Sequence, residues 1–289
     1  MDTRYLESLL SVLDSGSIAA AARAGNLTAA ALSLRVQALE KQLGCTLLDR
    51  SAHSVKPTPA CTRLAPQMRA IVRQASALRE DVEVDGLAGD FRLGAISTAL
   101  TGLMPGVLEG LGNHAPRLRL RITPGDSRLL FDQLMADELD AAILVQPPFP
   151  VAKHIRCAVL RSEPLMFLSR HVTQPHEVPE QLRTQPYLRY DACSWGGQIA
   201  QRYLDDLGIE PRVSCDLDAL ETISILVGCG QGVALVPQWG GLQAGACQAL
   251  PVDPGERFAR QVVLAYSAPG RKPAVIPLLK RLAGPGARP

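Results

Sequence analysis

Hydrophobic positions recur at steps of three and four through the first eighty residues, then give way to short apolar runs separated by turns. Leu6, Leu9, Leu10 and Leu13 supply a buried stripe for a first helix. A second helix is alanine-rich from Ala19 to Ala22, which lets backbones approach closely, and it breaks at Gly25-Asn26. A third opens at Thr28 and stops at Gly44, turning Leu32, Val36, Leu39 and Leu43 inward. Ser17 and Thr28 are hydroxyl residues placed to cap the two N-termini, and Gly44 can adopt the left-handed geometry that ends a helix. The opposite face of the third helix carries Ala29, Ala30, Ser33, Leu34 and Gln37. Two helices joined tightly, the second exposing one face, is a shape that fits the major groove of double-stranded DNA. Many helical hairpins share it.

The segment SAHSVKPTP (51–59) has a β-branched centre among small, polar and proline residues, and predicts a short β-hairpin wing. From Cys61 a heptad seam runs through Leu64, Met68, Ile71, Ala75, Leu78 and Val82, flanked by Arg63, Arg69, Arg73 and Arg79. An amphipathic helix lying on its own core would look similar. No helix of matching length lies nearby in sequence, so the seam favours self-association. Gly86 and Gly89 mark a linker.

From Asp90 onward strands and helices alternate. Phe91–Ile96, Leu118–Ile122 and Ala141–Val145 predict strands, with helices over Leu103–Leu111 and Leu129–Leu139, a βαβαβ unit with a parallel sheet. A second set has strands at Leu165–Leu168, Leu188–Tyr190, Val213–Leu217 and Gly232–Val236, with helices near Ile199–Leu207 and Ala219–Val227. A late strand, Gln261–Tyr266, and a helix around Val275–Leu282 remain. Two lobes joined by two crossing strands leave a cleft at the strand ends, where open α/β sheets bind ligands.

Composition narrows the field. A chain of 289 residues suggests roughly two domains, and 47% hydrophobic residues can bury a sizeable core. No apolar run approaches the ~18 residues that span a membrane. The opening MDTRYLESLL lacks the layout of a secretory signal, so a cytoplasmic location is expected. The seven cysteines are odd in number and scattered, with no C-x-x-C pair, which points to reduced thiols and to no metal site. The five histidines lie in loop-like contexts without a nucleophile motif or a glycine-rich phosphate loop, so neither an enzyme nor a cofactor is expected. A net charge of +2 gives no bulk signature of nucleic-acid binding, so any such signal is local.

An ordered set of motifs then stands out. It comprises Gly16, Ser17, Ala21 and Ala22, then Leu27-Thr28, then Ser33 with Ala38-Leu39-Glu40. Leu43, Gly44, Leu47 and Arg50 follow, then Pro57, Thr58 and Ala60. Further on come LGAIST (93–98), LDAAI (139–143) and GQGVALVP (230–237). Over essentially its full length the chain resembles the LysR-type family of bacterial transcriptional regulators. That resemblance implies an N-terminal all-α winged helix-turn-helix (1–58), a dimerising linker helix (59–88) and a two-lobed, periplasmic-binding-protein-like α/β effector domain (89–289). The first lobe is expected at 89–162 plus 267–289 and the second at 163–266. Many members form tetramers and sense small metabolites. The function implied is sequence-specific DNA binding modulated by a small-molecule effector; an effector-independent architectural DNA binder is the alternative.

Departures from the family pattern matter. Ala29-Ala30 replace the usual Gln-Pro, Leu34 stands where Arg or Gln is common, His53 stands at the wing, and Cys61 replaces a glycine. Ser33 and Gln37 are the hydrogen-bonding candidates for base edges, while Leu34 could touch only thymine methyls. Arg35, Arg50 and Lys56 are expected at phosphates, with His53 beside them; Ser17 and Thr28 are expected to cap and to contact phosphate. Dimerisation is assigned to Leu64, Met68, Ile71, Ala75, Leu78 and Val82. The effector cleft is assigned to Ser97, Thr98, Ser127, Gln146, Ser194 and Trp195, and a small anion is expected there, held by hydroxyls and backbone N–H groups.

Overall fold

The computed structural model describes residues 2–49, 55–80, 86–171, 174–242, 247–253, 255–268 and 270–284. The chain divides into two compact units, Met1–Val84 and Asp85–Pro289. In the first, α1 (Thr3–Ser15), α2 (Ile18–Ala24) and α3 (Ala29–Leu43) enclose Leu6, Leu9, Val12, Ala21, Leu32, Val36 and Leu39. The caps fall where the hydroxyls predict. Ser17 Oγ accepts the Ala20 N–H at 3.4 Å and Thr28 Oγ1 accepts that of Ala31 at 3.1 Å. Gly44 ends α3 at a φ of 66°, a conformation glycine adopts without a Cβ penalty. Leu43 differs from the expectation: at the last turn of α3 it is exposed rather than inward.

Two short strands, β1 (Leu48–Asp49) and β2 (Lys56–Pro57), pair antiparallel at the base of the expected wing. Thr58 closes that base by accepting the Cys61 N–H and donating to the Thr46 carbonyl at 2.8 Å. The long helix α4 (Pro59–Glu80) then begins. Its first half belongs to this unit's own core: Cys61 and Met68 are buried there, and Leu64 and Val72 pack against it. Arg69 anchors α4 to Asp14 of α1 at 2.5 Å.

In the second unit, β3 (Gly89–Ala95), β4 (Leu118–Pro124), β5 (Ala141–Val145), β6 (Ile155–Glu163) and β12 (Arg260–Ser267) form one sheet in the order β4-β3-β5-β12-β6. Four helices belong with it: α5 (Ser97–Gly102), α6 (Met104–His114), α7 (Ser127–Met135) and α11 (Val275–Ala283). The β3, β4 and β5 strands are parallel, as the βαβαβ pattern predicts. The sheet as a whole is mixed, because β12 returns from the second lobe and inserts antiparallel between β5 and β6. The return therefore falls before Arg260, earlier than the expected boundary at 266/267. Strand β6 escapes the sequence pattern for a physical reason. It is an edge strand, so polar side chains interrupt its apolar alternation.

The second lobe holds β7 (Leu165–Ser169), α8 (Val178–Thr184), β8 (Tyr187–Tyr190), α9 (Gly197–Asp206), β9 (Val213–Leu217), α10 (Leu220–Gly228), β10 (Ala234–Pro237) and β11 (Gln248–Pro251). Strand β7 runs antiparallel to both β10 and β11, while β8 and β9 are parallel. A bridge between Tyr187 and Val233 links the two sets. Separate apolar clusters lie around Phe167 and Leu204 and around Leu168 and Ile223.

Candidate functional site

Two surfaces carry the residues singled out in the sequence. On α3, Ala29, Ala30, Leu34 and Gln37 are exposed and Ser33 is half-buried, with Leu34 at 65%. Lys41, four residues beyond Gln37, extends the same exposed face and was not singled out from the sequence. Its spacing of four was the available signal. Arg35 sits half-buried on the flank. Hydrogen bonds from Arg4, with a smaller pull from Arg35, hold the Asp2 carboxyl at about 2. Glu40 explains its place in the motif. Its Oε1 accepts the N–H groups of Leu47 and Leu48 at 2.8 and 3.1 Å, which fixes the exit from α3. Lys56 is exposed on β2. Arg50 and His53 lie outside the described residues. On α4, Ile71 remains exposed and Ala75 half-buried, whereas Leu64 and Met68 face their own core. Val82 and the side chain of Leu78 lie outside what is described.

The second surface is a cavity of about 590 Å³ between the lobes. It brings together Ser97, Thr98, Ser127, Ser194 and Trp195, from segments nearly a hundred residues apart. Most of their polar atoms already have partners. Thr98 is buried and accepts from Arg260 Nη2 at 3.0 Å. Ser127 Oγ accepts the Val145 N–H at 3.1 Å, tying α7 to the end of β5. Ser194 donates to the Asp191 carbonyl at 2.8 Å and accepts the Gly197 N–H at 3.0 Å. A Cβ at Gly197 would stand 2.0 Å from the Asp191 carbonyl oxygen, so this turn needs glycine. Ser97 is exposed, and the residue at the N-cap of α5 is Ile96, which offers no side-chain cap, so neither Ser97 nor Thr98 caps the helix. Gln146 does not line this cavity. It lines a neighbouring one of about 500 Å³, on which Trp195 also borders.

Trp195 is buried, and it packs into the first lobe's core against Phe131 and Phe149, with ring centroids 5.9 and 5.5 Å away. The indole comes from a second-lobe turn, so it joins the lobes as well as walling the cleft.

The sequence reading missed Arg260, Tyr190 and the acidic members of the lining. Arg260 begins β12 and is 2% exposed. Its Nε and Nη2 donate to Glu163 Oε2 at 2.8 and 2.5 Å. Burial pushes the Glu163 carboxyl up, and Arg260 draws it back only partly. Burial also opposes the charge on Arg260, yet Glu163 and Tyr190 hold its pKa above the ordinary guanidinium value. An arginine opening an apolar strand run, ARQVVLAYS, was the signal available. Asp126, Asp191 and Asp218 also line the cavity, each at a turn leading into a helix. The cleft thus holds three carboxylates where a cradle for an anion was expected.

Residues 3–62 match the bacterial regulatory helix-turn-helix protein, lysR family, and residues 85–284 match the LysR substrate binding domain. The hydrogen peroxide-inducible genes activator of Haemophilus influenzae is 26% identical over 273 residues, covering 92% of this chain and 90% of that protein. The regulator TtuA of Agrobacterium vitis is 26% identical over 249 residues, 83% of this chain and 81% of its own. Among solved structures, a full-length OxyR variant from Pseudomonas aeruginosa superposes with a TM-score of 0.75 at 23% identity, covering 98% of this chain and 94% of that one. CbnR bound to its target DNA gives 0.66 at 18% identity, covering 98% and 100%. The chain belongs to the LysR family of transcriptional regulators, with a DNA-binding helix-turn-helix and an effector-binding α/β domain. Among the described residues no helix is long and apolar enough to cross a membrane.

Proposed function

We propose that this regulator reads its operators chiefly through the exposed face of α3 and answers to a small molecule held between the two α/β lobes. The observation that carries the reading is the pairing of that open face with the cavity of about 590 Å³. A cavity of this size suits a small organic ligand. Ser33 and Gln37 supply hydrogen bonds to base edges, and Leu34 favours thymine methyls. Lys56 and Arg35 serve phosphates, as Arg50 and His53 do in the sequence reading, and the capped helix ends at Ser17 and Thr28 add backbone donors. Dimers form through the part of α4 not used by its own core, centred on Ile71 and Ala75, and pairs of dimers make the tetramer. Bacterial DNA being the partner, the protein works in the cytoplasm. Effector-independent architectural binding would leave the cavity without a purpose.

The test is footprinting of the full chain at genomic sites recovered by mapping its bound DNA. A defined protected sequence that changes extent with an added metabolite supports the reading. Uniform, sequence-blind coverage removes it.

One observation favours a second reading. Cys193 is exposed and lines the cavity, and the Haemophilus relative activates genes induced by hydrogen peroxide. A thiolate there could attack peroxide, yielding a sulfenic acid and hydroxide that takes up a proton as water. An altered footprint after peroxide treatment, lost in Cys193→Ser, would support it.

A further inference from the structure

The smaller cavity, of about 500 Å³, shares Val145 and Trp195 with the larger one but differs from it in chemistry. Its floor is apolar, with Val145, Trp195 and Ile199 all buried. Four glutamines stand around that floor: Gln146 just after β5, Gln198 and Gln201 on α9, and Gln261 on β12. Gln201 and Gln261 are engaged, their Nε2 groups donating to Asp205 Oδ1 at 2.9 Å and to Ser162 Oγ at 3.0 Å. The side-chain amides of Gln146 and Gln198 have no hydrogen-bond partner among the described residues. A carboxamide both donates and accepts, so each lobe offers a polar guest one unused amide. Only two charged residues belong to the lining, Arg202 and Asp205, and they are of opposite sign. They stand three positions apart on α9, which makes them neighbours on the helix surface. Yet among the described residues no ion pair joins them, and the Arg202 side chain has no partner at all. The Asp205 carboxylate takes a single hydrogen bond, from Gln201, which leaves most of its lone pairs unused.

We propose that this second cavity binds a zwitterionic α-amino acid, its carboxylate on Arg202 and its ammonium on Asp205. Both charged groups of such a ligand hang on one carbon, so a cation and an anion held one helix turn apart match it. A purely anionic guest would meet Arg202 but crowd Asp205, and a purely cationic one would reverse the conflict. The unused amides of Gln146 and Gln198 add hydrogen bonds, and the ligand's side chain lies over Trp195 and Ile199. A volume of about 500 Å³ leaves room for a side chain of ordinary size. This site is separate from the larger cavity and does not depend on that cavity's holding the effector.

The experiment is calorimetric titration of the full chain, free of DNA, with leucine and glutamine. Two analogues of leucine serve as comparisons: 4-methylpentanoate, which lacks the ammonium, and 3-methylbutylamine, which lacks the carboxylate. One or both amino acids should bind, and each analogue should be at least about tenfold weaker than the better of them. Arg202→Gln and Asp205→Asn should each weaken the amino acid about tenfold or more. Both side chains are exposed, so neither change should move the melting temperature. Asp206→Asn, which breaks only a surface pair with Arg257, should leave the affinity unchanged. Arg128→Ala reports on the larger cavity, which Arg128 lines. Failure of both amino acids to bind, an analogue that binds as tightly, or unchanged affinity in Arg202→Gln overturns the proposal. So does a loss that follows Arg128→Ala instead of Arg202→Gln, because it places the amino acid in the larger cavity.

Discussion

The exposed face of α3 and the cavity between the lobes are built on opposite plans. The face is assembled from one stretch of fifteen residues, and its neighbours in space are its neighbours in sequence. Two caps and Glu40 hold it, and its contact side chains are mostly small or apolar. The cavity draws on α5, α7, β5, β8, β12 and the turns before α9 and α10, so residues more than 160 positions apart meet there. The Thr98–Arg260 hydrogen bond spans 162 positions and is buried. A locally built surface tolerates substitution and can drift in specificity. The buried members of a site built from distant segments, here Thr98 and Arg260, belong to the core, and a change at them reaches stability before it reaches binding.

Four substitutions can break or sharpen that contrast. The largest effect is expected at Arg260→Met, which leaves Glu163 buried without its partner. Loss of ~3–5 kcal/mol of stability should appear in chemical denaturation of the effector domain's transition. Adding Glu163→Gln to the same chain should recover much of it, and no recovery would mean the two residues are not coupled. Next comes Ile71→Glu, which places a charge on the outward side of α4. Light scattering should report monomers, and operator affinity should drop about a hundredfold as bivalency is lost. A variant that stays dimeric relocates the interface. On the local surface, Leu34→Arg should leave the melting temperature unchanged while shifting base preference at one position by ~1–3 kcal/mol. Selection of bound sequences from a random pool measures it, and an identical consensus would remove Leu34 from the reading face. The smallest effect belongs to Lys56→Ala, which should weaken all sequences alike and flatten the salt dependence by about one phosphate contact. An unchanged slope would place Lys56 away from the backbone.

The same contrast sets what could be read without coordinates. The limits of α2 and α3 follow from Ser17, Thr28 and Gly44, because capping is settled within four residues. The buried β5 was legible to the residue, since every one of its positions is apolar. Strand β6 was not, because an edge strand alternates polar and apolar positions less cleanly. Helix α5 was missed because it is only six residues long. In the cleft, Ser97, Thr98, Ser127, Ser194 and Trp195 were found by their places at strand ends. Arg260 was invisible to that logic. It faces the cavity from the first residue of β12, where a strand starts rather than finishes, and only long-range pairing brings Glu163 and Thr98 to it.

Trp195 and Val145 border both the larger cavity and the one beside Gln146. A guest that shifted the indole on one side would change the space on the other, and the two compartments would then be thermodynamically linked. The factor by which a first occupant alters the affinity for a second must then equal the factor in the reverse direction. The position of a single ring thus sets the shape of both compartments.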